Sequence, residues 1–426
     1  MHTAVDQTES LLSSVLVQLI VMIAAARLGN QVLRRFGQPG VIGEIISGLL
    51  LGPSLFGHFF PATSMALFGA GSSAPITIIS QIGLVLLMFQ IGADFEFAHL
   101  MQARNRNTAL AIAAASICVP FALGFGIGEL SARRLAPSID PLTYSLFVGV
   151  GLAITAVPIL GRILREFDLT QTEIGVVAIS AAALNDVTGW VLLAGTSAYA
   201  SARFSAAGVA LQVGGIVLLG AVTWLGLRRA IGWLLARMPM DHGHVPANLM
   251  TVVICLIFAV GICTSKLGIF TIFGGFLAGL LFHRDRRFVE AWRAQVGKFV
   301  LVFFLPVFFT YTGLRTNVLG LTSASDWIWL SVILAAAILG KMIPVYVAGR
   351  AGGFSRTEAT ILGSLMNTRA LMELIVLNIG FDLGFIPQTV FTMLVVMAVV
   401  TTILTGPLLR LLLPRAGYPV PIGIEA

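Results

Sequence analysis

The sequence predicts an all-α polytopic membrane protein, and three observations carry that prediction. The 426 residues are 57% hydrophobic and only 11% charged, where a soluble domain holds about 25% charged residues. Apolar runs of membrane-spanning length follow one another almost from end to end. The loops between those runs alternate between crowded and nearly empty in Lys and Arg. No hydrophilic segment is long enough for a folded soluble domain, so 1–426 reads as a single transmembrane domain. The net charge of +7 follows this loop bias and does not point to a nucleic-acid partner.

About thirteen spans are expected, at 10–26, 39–57, 74–93, 107–131, 142–165, 171–199, 206–227, 246–266, 267–283, 296–315, 325–349, 356–381 and 387–413. Asp6 and Glu9 precede the first run and no Lys or Arg does, so it reads as a retained helix rather than a cleavable signal peptide. The second span, opening Gly37-Gln-Pro-Gly-Val-Ile-Gly-Glu44, is short and glycine-rich, which lets backbones approach closely in lipid. Glu44 reads as an interfacial hydrogen-bonded acid, and Asp94 and Glu96 mark the end of the third span. The eighth and ninth spans are nearly continuous, and 228–245 reads as an interfacial helix. The phenylalanines of the tenth span read as packing.

With the N-terminus outside and the C-terminus cytoplasmic, nineteen of the 26 Lys and Arg fall inside. Only Arg133, Arg134, Arg203, Lys266 and Arg315 fall outside, and an even number of spans scrambles the pattern. Lys341 and Arg369 are left at membrane depth.

The fifth span contains Ala153-Ile-Thr155-Ala-Val-Pro158. Pro158 has no amide hydrogen to give and disfavours helix just before it, so a mid-membrane break is expected. Carbonyls freed there must line a cavity or be buried in protein, and half-helix ends of this kind bind ions in transporters. The sixth span carries Asn185-Asp186 in the middle of about thirty small and apolar residues. An acid at that depth costs about 2.5–3.5 kcal/mol on insertion scales and is rarely there without use. Asp186 is read as the place where a small cation and a proton compete, with Asn185 next to it in the chain and Thr155 beside the break of the preceding span; the bland alternative is an Asp pinned to a neighbouring helix by hydrogen bonds. In the eleventh span Lys341 is followed by eight uncharged residues and needs an anion, for which Asp186 is the expected candidate. In the twelfth, Arg369 and Glu373 are spaced to pair on one helix face. The fifth and twelfth spans are seven apart and so run in opposite directions; the fourth to sixth and eleventh to thirteenth spans are expected to be inverted repeats with two discontinuous, crossing helices.

Other motifs carry less. Gly124-Phe-Gly126-Ile-Gly128 lacks the strand–turn–helix context of a dinucleotide site and reads as helix packing. Cys118, Cys255 and Cys263 lie in apolar runs and form no disulfide or metal pattern. Asp241-His242-Gly243-His244 could bind a metal or sense pH, but reads as a polar loop. No metal, cofactor or enzymatic constellation is expected.

Together these segments resemble the monovalent cation/proton antiporters, specifically the second cation–proton antiporter family. The residues that carry the resemblance are Pro39–Pro53, Ile154-Thr-Ala-Val-Pro-Ile-Leu, Leu184-Asn-Asp-Val-Thr-Gly-Trp190, Leu305-Pro-Val-Phe-Phe, Gly313-Leu-Arg-Thr and Asn367-Thr-Arg-Ala-Leu-Met-Glu373 through Gly380. The last three are similar to the plant-type exchangers and their bacterial relatives. The resemblance implies a homodimer in the inner (plasma) membrane. It implies a dimerisation part mainly in 10–57 and 206–283, and an elevator-like ion-carrying core mainly in 74–199 and 296–413. It also implies that Asp186 binds ion and proton, that Thr155 is the hydroxyl beside it, and that Lys341 neighbours the site. Asn185 stands where charge-moving members have a second aspartate, and a soluble nucleotide-binding tail is not seen, so gating by one is not expected. The implied activity is exchange of K+ or Na+ for H+. The alternatives are a transporter-like cation channel, which no filter-like repeat supports, and a regulatory membrane protein that no longer transports, which fold alone would not exclude.

Overall fold

The computed structural model describes residues 4–36, 38, 40–69, 73–94, 103–200, 214–215, 218–219, 221–238, 244–267, 270–369 and 371–419, and the regular elements there are helical. In chain order the first nine helices are α1 (Ala4–Arg35), α2 (Gly40–Leu51), α3 (Phe56–Phe59), α4 (Pro61–Phe68), α5 (Ser73–Ala93), α6 (Ala103–Leu135), α7 (Pro141–Ala153), α8 (Val157–Glu166) and α9 (Glu173–Ala200). The rest are α10 (Arg228–Arg237), α11 (Ala247–Lys266), α12 (Thr271–Leu280), α13 (Arg286–Trp292), α14 (Leu305–Leu314), α15 (Ala324–Ala351), α16 (Arg356–Met366), α17 (Leu371–Asp382) and α18 (Gln388–Leu412).

Ten helical runs among the described residues are long and apolar enough to cross a membrane, which makes this a multi-pass membrane protein. The expected count of about thirteen is not reached by that measure. The 142–165 span is divided into α7 and α8, the 267–283 span holds only the ten-residue α12, and half of 206–227 lies outside the described residues. Glu96 and the segment Asp241–Gly243 also lie outside them.

The chain forms two compact units. One comprises 1–23, 64–96 and 197–311. Within it α5 and α12 meet through glycines: Gly275 and Gly279 lie against the carbonyls of Val85 and Phe89, and Gly92 against that of Phe276. A side chain at any of the three would strike backbone, so these positions set the distance between the helices. Phe89 then packs edge-on against Trp292, with ring centroids 4.7 Å apart, and Phe282 stacks on Phe288 at 4.5 Å. The phenylalanines of the tenth span pack on one another as expected, Phe303 on Phe304 at 5.0 Å.

The other unit comprises 24–63, 97–196 and 312–426. Here one pattern occurs twice: a long helix, a helix broken in the middle, and a second long helix. The first copy is α6, α7 with α8, and α9; the second is α15, α16 with α17, and α18. Local chemistry starts these helices where the sequence places them. Asp140 accepts from the Thr143 amide at 2.9 Å ahead of Pro141 at the first turn of α7. Ser323 with Asp326 and Ser355 with Glu358 form capping boxes on α15 and α16. Gly353, at φ 93°, makes the turn between those two helices, a backbone conformation glycine adopts without steric cost. The Gly124–Gly128 run is helix packing as expected: a Cβ on Gly124 would lie 2.8 Å from the Gly149 Cα, and one on Gly128 2.5 Å from the Ser145 Cα. Glu44 is buried and accepts from Asn30 Nδ2 at 2.6 Å.

Candidate functional site

Both broken helices open at a few residues and touch there. Ile154, Thr155 and Ala156 leave the helix between α7 and α8, and the chain opens again after Met366, before α17. The Ala156 amide donates to the Thr368 carbonyl at 3.1 Å, and Thr155 Oγ1 donates to the Met366 carbonyl at 3.2 Å. The Arg369 amide, freed by the second opening, is met by Thr402 Oγ1 of α18 at 3.2 Å. The break lies just upstream of Pro158, which sits in the first turn of α8, where a missing amide hydrogen costs nothing.

A helix end presents four unpaired carbonyls and a partial negative charge. At the end of α7 these carbonyls are claimed by the two basic side chains of the site. Arg369 donates to Gly151 O at 3.0 Å and to Leu152 O at 2.8 Å. Lys341 donates to Ala153 O at 2.6 Å and to Ile154 O at 2.8 Å. Both side chains are fully buried, so Lys341 does not snorkel to an interface. The hydrogen bonds of Lys341 thus go to carbonyls, while its charge still interacts with that of Asp186. The freed carbonyls of α7 are buried in protein, one of the two outcomes expected for them. The physical reason is that a buried carbonyl without a donor costs several kcal/mol where no water can reach it.

Asp186 takes the opposite end of the break. It is 3% exposed, and its carboxylate accepts from the backbone amide of Val157, the first residue of α8. A helix N-terminus favours negative charge there. No protein donor among the described residues reaches its Oδ1. Asn185 is buried and its Nδ2 donates to Ser116 Oγ of α6 at 3.0 Å. Glu373, in the first turn of α17, is buried and lies 3.4 Å from Arg369 Nη1, the i,i+4 pair expected from spacing. Among the expected site residues, then, Thr155, Lys341, Arg369 and Glu373 gather at the crossing, Asp186 caps α8 beside it, and Pro158 shapes the backbone.

Two hydroxyl residues escaped the reading of the sequence. Ser116 sits in an Ala-rich run, and its one signal is Pro120 four residues on, which withdraws the amide that would have closed on the Ser116 carbonyl. Thr402 belongs to a group of buried threonines on α18, with Thr392, Thr401 and Thr405.

A family model described as "Sodium/hydrogen exchanger, transmembrane" matches residues 19–415. The chain belongs to the sodium/hydrogen exchanger family. It is 35% identical over 406 residues to the Na+/H+ antiporter NhaS4 of Synechocystis, covering 95% of this chain and 98% of that one. It is 35% identical over 401 residues to cation/H+ antiporter 18 of Arabidopsis thaliana, covering 92% of this chain and 48% of the relative. The K+/H+ antiporter 1 of Saccharomyces cerevisiae is 30% identical over 88% of this chain and 44% of its own length. The chain thus spans nearly the whole of the cyanobacterial relative and about half of the plant and yeast ones. Its fold matches the sodium proton antiporter MjNhaP1 of Methanocaldococcus jannaschii with a TM-score of 0.66 at 15% identity, covering 94% of this chain and 96% of that structure. The exchanger fold expected from the sequence, with paired discontinuous helices, is the fold of this family member.

Proposed function

We propose that this exchanger is a secondary active antiporter that moves a monovalent cation, K+ or Na+, against H+, and that Asp186 holds one or the other in turn. The observation that carries the reading is the buried Asp186 carboxylate at the α8 N-terminus, with one oxygen that no protein donor among the described residues meets, while Lys341 and Arg369 are both committed to the α7 carbonyls. A carboxylate so placed can take a desolvated cation or a proton, and the two exclude each other. The family supports the class of reaction, and its named relatives include both Na+/H+ and K+/H+ antiporters. Thr155 and Asn185 supply neutral oxygens beside the acid; Arg369, Glu373 and Lys341 hold the broken helices in place.

Alternating access in this reading is an elevator-type movement of the helices that carry Asp186, within a homodimer in the inner (plasma) membrane, N-terminus outside and C-terminus cytoplasmic. The test is exchange in proteoliposomes with Na+, K+ and Li+ compared at several pH values. Asp186→Asn, which keeps size and removes the titration, should abolish cation-driven proton movement while the protein remains folded. Transport by that variant at a near wild-type rate removes Asp186 from the mechanism.

A further inference from the structure

Arg315 is one of the five basic residues that the loop count leaves on the sparsely charged side, and it belongs to the Gly313-Leu-Arg-Thr segment, to which the ion site assigns no task. Its guanidinium is turned onto the end of α17 that lies away from the crossing. Nη1 donates to Asn378 Oδ1 at 3.1 Å, Nη2 donates to the Asp382 carboxylate, and Cζ lies 4.7 Å from the centroid of the Phe381 ring. Asp382 is the last residue of α17, where the helix is electrically negative and an acid is unfavourable without a cation beside it. Asn378 is buried and fully used. Its Nδ2 donates to the Leu374 carbonyl and to Thr312 Oγ1, both at 2.8 Å, and its Oδ1 is met by Arg315.

The backbone around Arg315 is itself held from two sides. Gln388 of α18 donates to the Arg315 carbonyl at 2.5 Å, and the Asn317 amide donates to Thr392 Oγ1 of α18 at 3.3 Å. Ser54, just past α2, donates to the Thr316 carbonyl at 3.0 Å and accepts from the Val318 amide at 2.9 Å. Arg315 is thus a fixed point, and α17 is the element it fixes. That helix has 12 residues and is about 18 Å long at 1.5 Å per residue. Its first turn carries Glu373, 3.4 Å from the Arg369 guanidinium that holds the α7 carbonyls. A rigid helix passes a displacement of one end to the other.

We propose that Arg315 is a positioning residue for exchange: through Asn378 it holds the far end of α17 and so sets where the near end stands at the crossing. The inference rests on the reading of the ion site given above. Asp382 is the lesser partner, because its side chain is 42% exposed and an exposed ion pair is weak and screened by salt.

The test compares Arg315→Ala, Asn378→Ala, Asp382→Ala and the double variant Arg315→Ala/Asn378→Ala in proteoliposomes, with Arg315→Lys as the conservative variant and Asp186→Asn alongside. The apparent KM for Na+ or K+ should rise about tenfold in Arg315→Ala, the order expected when a binding constellation is displaced by a fraction of an ångström. Asn378→Ala should do the same, and the double variant should be no worse than either, because both remove one link. Asp382→Ala should change the KM less. Arg315→Lys keeps the charge without the planar fork and should fall between Arg315→Ala and the wild type. Cation-dependent thermal stabilisation of the purified protein reads the same affinity where transport is weak, and Arg315→Lys with Asn378→Ala carries the comparison if Arg315→Ala does not fold. A purely structural role would lower the unfolding temperature and leave the KM of the folded protein unchanged. That result, or additive losses in the double variant, overturns the role of Arg315 while Asp186→Asn remains inactive. Exchange by Asp186→Asn itself overturns the inference together with the reading beneath it.

Discussion

Arg369 does two things with one guanidinium: it meets the Gly151 and Leu152 carbonyls and lies beside Glu373. Removing it strands a buried acid and two buried carbonyls at once. Arg369→Gln should destabilise the protein by about 3–5 kcal/mol, the usual consequence of breaking a buried pair from one side. Adding Glu373→Gln should recover only part of that loss, because the α7 carbonyls still lack their donor. Unfolding of both variants in detergent measures the difference; full recovery in the double variant would show that the caps on α7 contribute nothing. The i,i+4 spacing of Arg369 and Glu373 is legible in the sequence. The carbonyls that Arg369 meets lie 218 and 217 residues away, and no local pattern announces them.

At the scale of elements, small residues set how closely helices approach. A Cβ on Gly43 of α2 would collide with the Gly29 carbonyl of α1, while one on Gly126 of α6 meets nothing within 4 Å. The close approach at Gly43 brings Asn30 to Glu44 at 2.6 Å and Ser47 Oγ to the Ala25 carbonyl at 2.9 Å. Gly43→Val should force the helices apart and destabilise by at least about 1–3 kcal/mol, the range for overpacking. Gly126→Ala should be neutral or stabilising by up to about 1 kcal/mol, since it only removes backbone freedom from the unfolded chain. Thermal unfolding of the two variants side by side checks both, and equal losses would refute this account of the glycines. The second-span glycines were readable as a packing surface from their spacing, but which helix they pack against was not.

For the whole molecule, four buried charged side chains lie around the crossing, Asp186 and Glu373 against Lys341 and Arg369, and their formal charges cancel. With Lys341 and Arg369 engaged by carbonyls, the proposed mechanism has Asp186 alone alternate, so that one cation replaces one proton per cycle. Exchange should therefore be electroneutral, and its rate in sealed liposomes should not respond to an imposed membrane potential. Acceleration or reversal with the sign of the potential would overturn this and point to Lys341 as a second proton carrier. The basic residues of the loops bear on the same scale: the proposed orientation puts nineteen inside and five outside, and a reporter fused at Ala426 should read as cytoplasmic. An extracytoplasmic signal would contradict the proposed orientation.

The sequence by itself determined the class of molecule and the exceptional residues within it. Hydropathy is a property of neighbours along the chain, so an apolar run and a lone Asp186, Lys341 or Arg369 inside one stand out without any structure. The break near Pro158 was visible for the same reason, since proline acts on the turn it belongs to. The tertiary structure alone decided who meets whom. Lys341 donates to carbonyls 188 and 187 residues away, and Asn185 donates to Ser116 from 69 residues away. A hydrogen bond depends on the direction and distance of one donor and one acceptor, and between separate helices those are set only when the helices have packed.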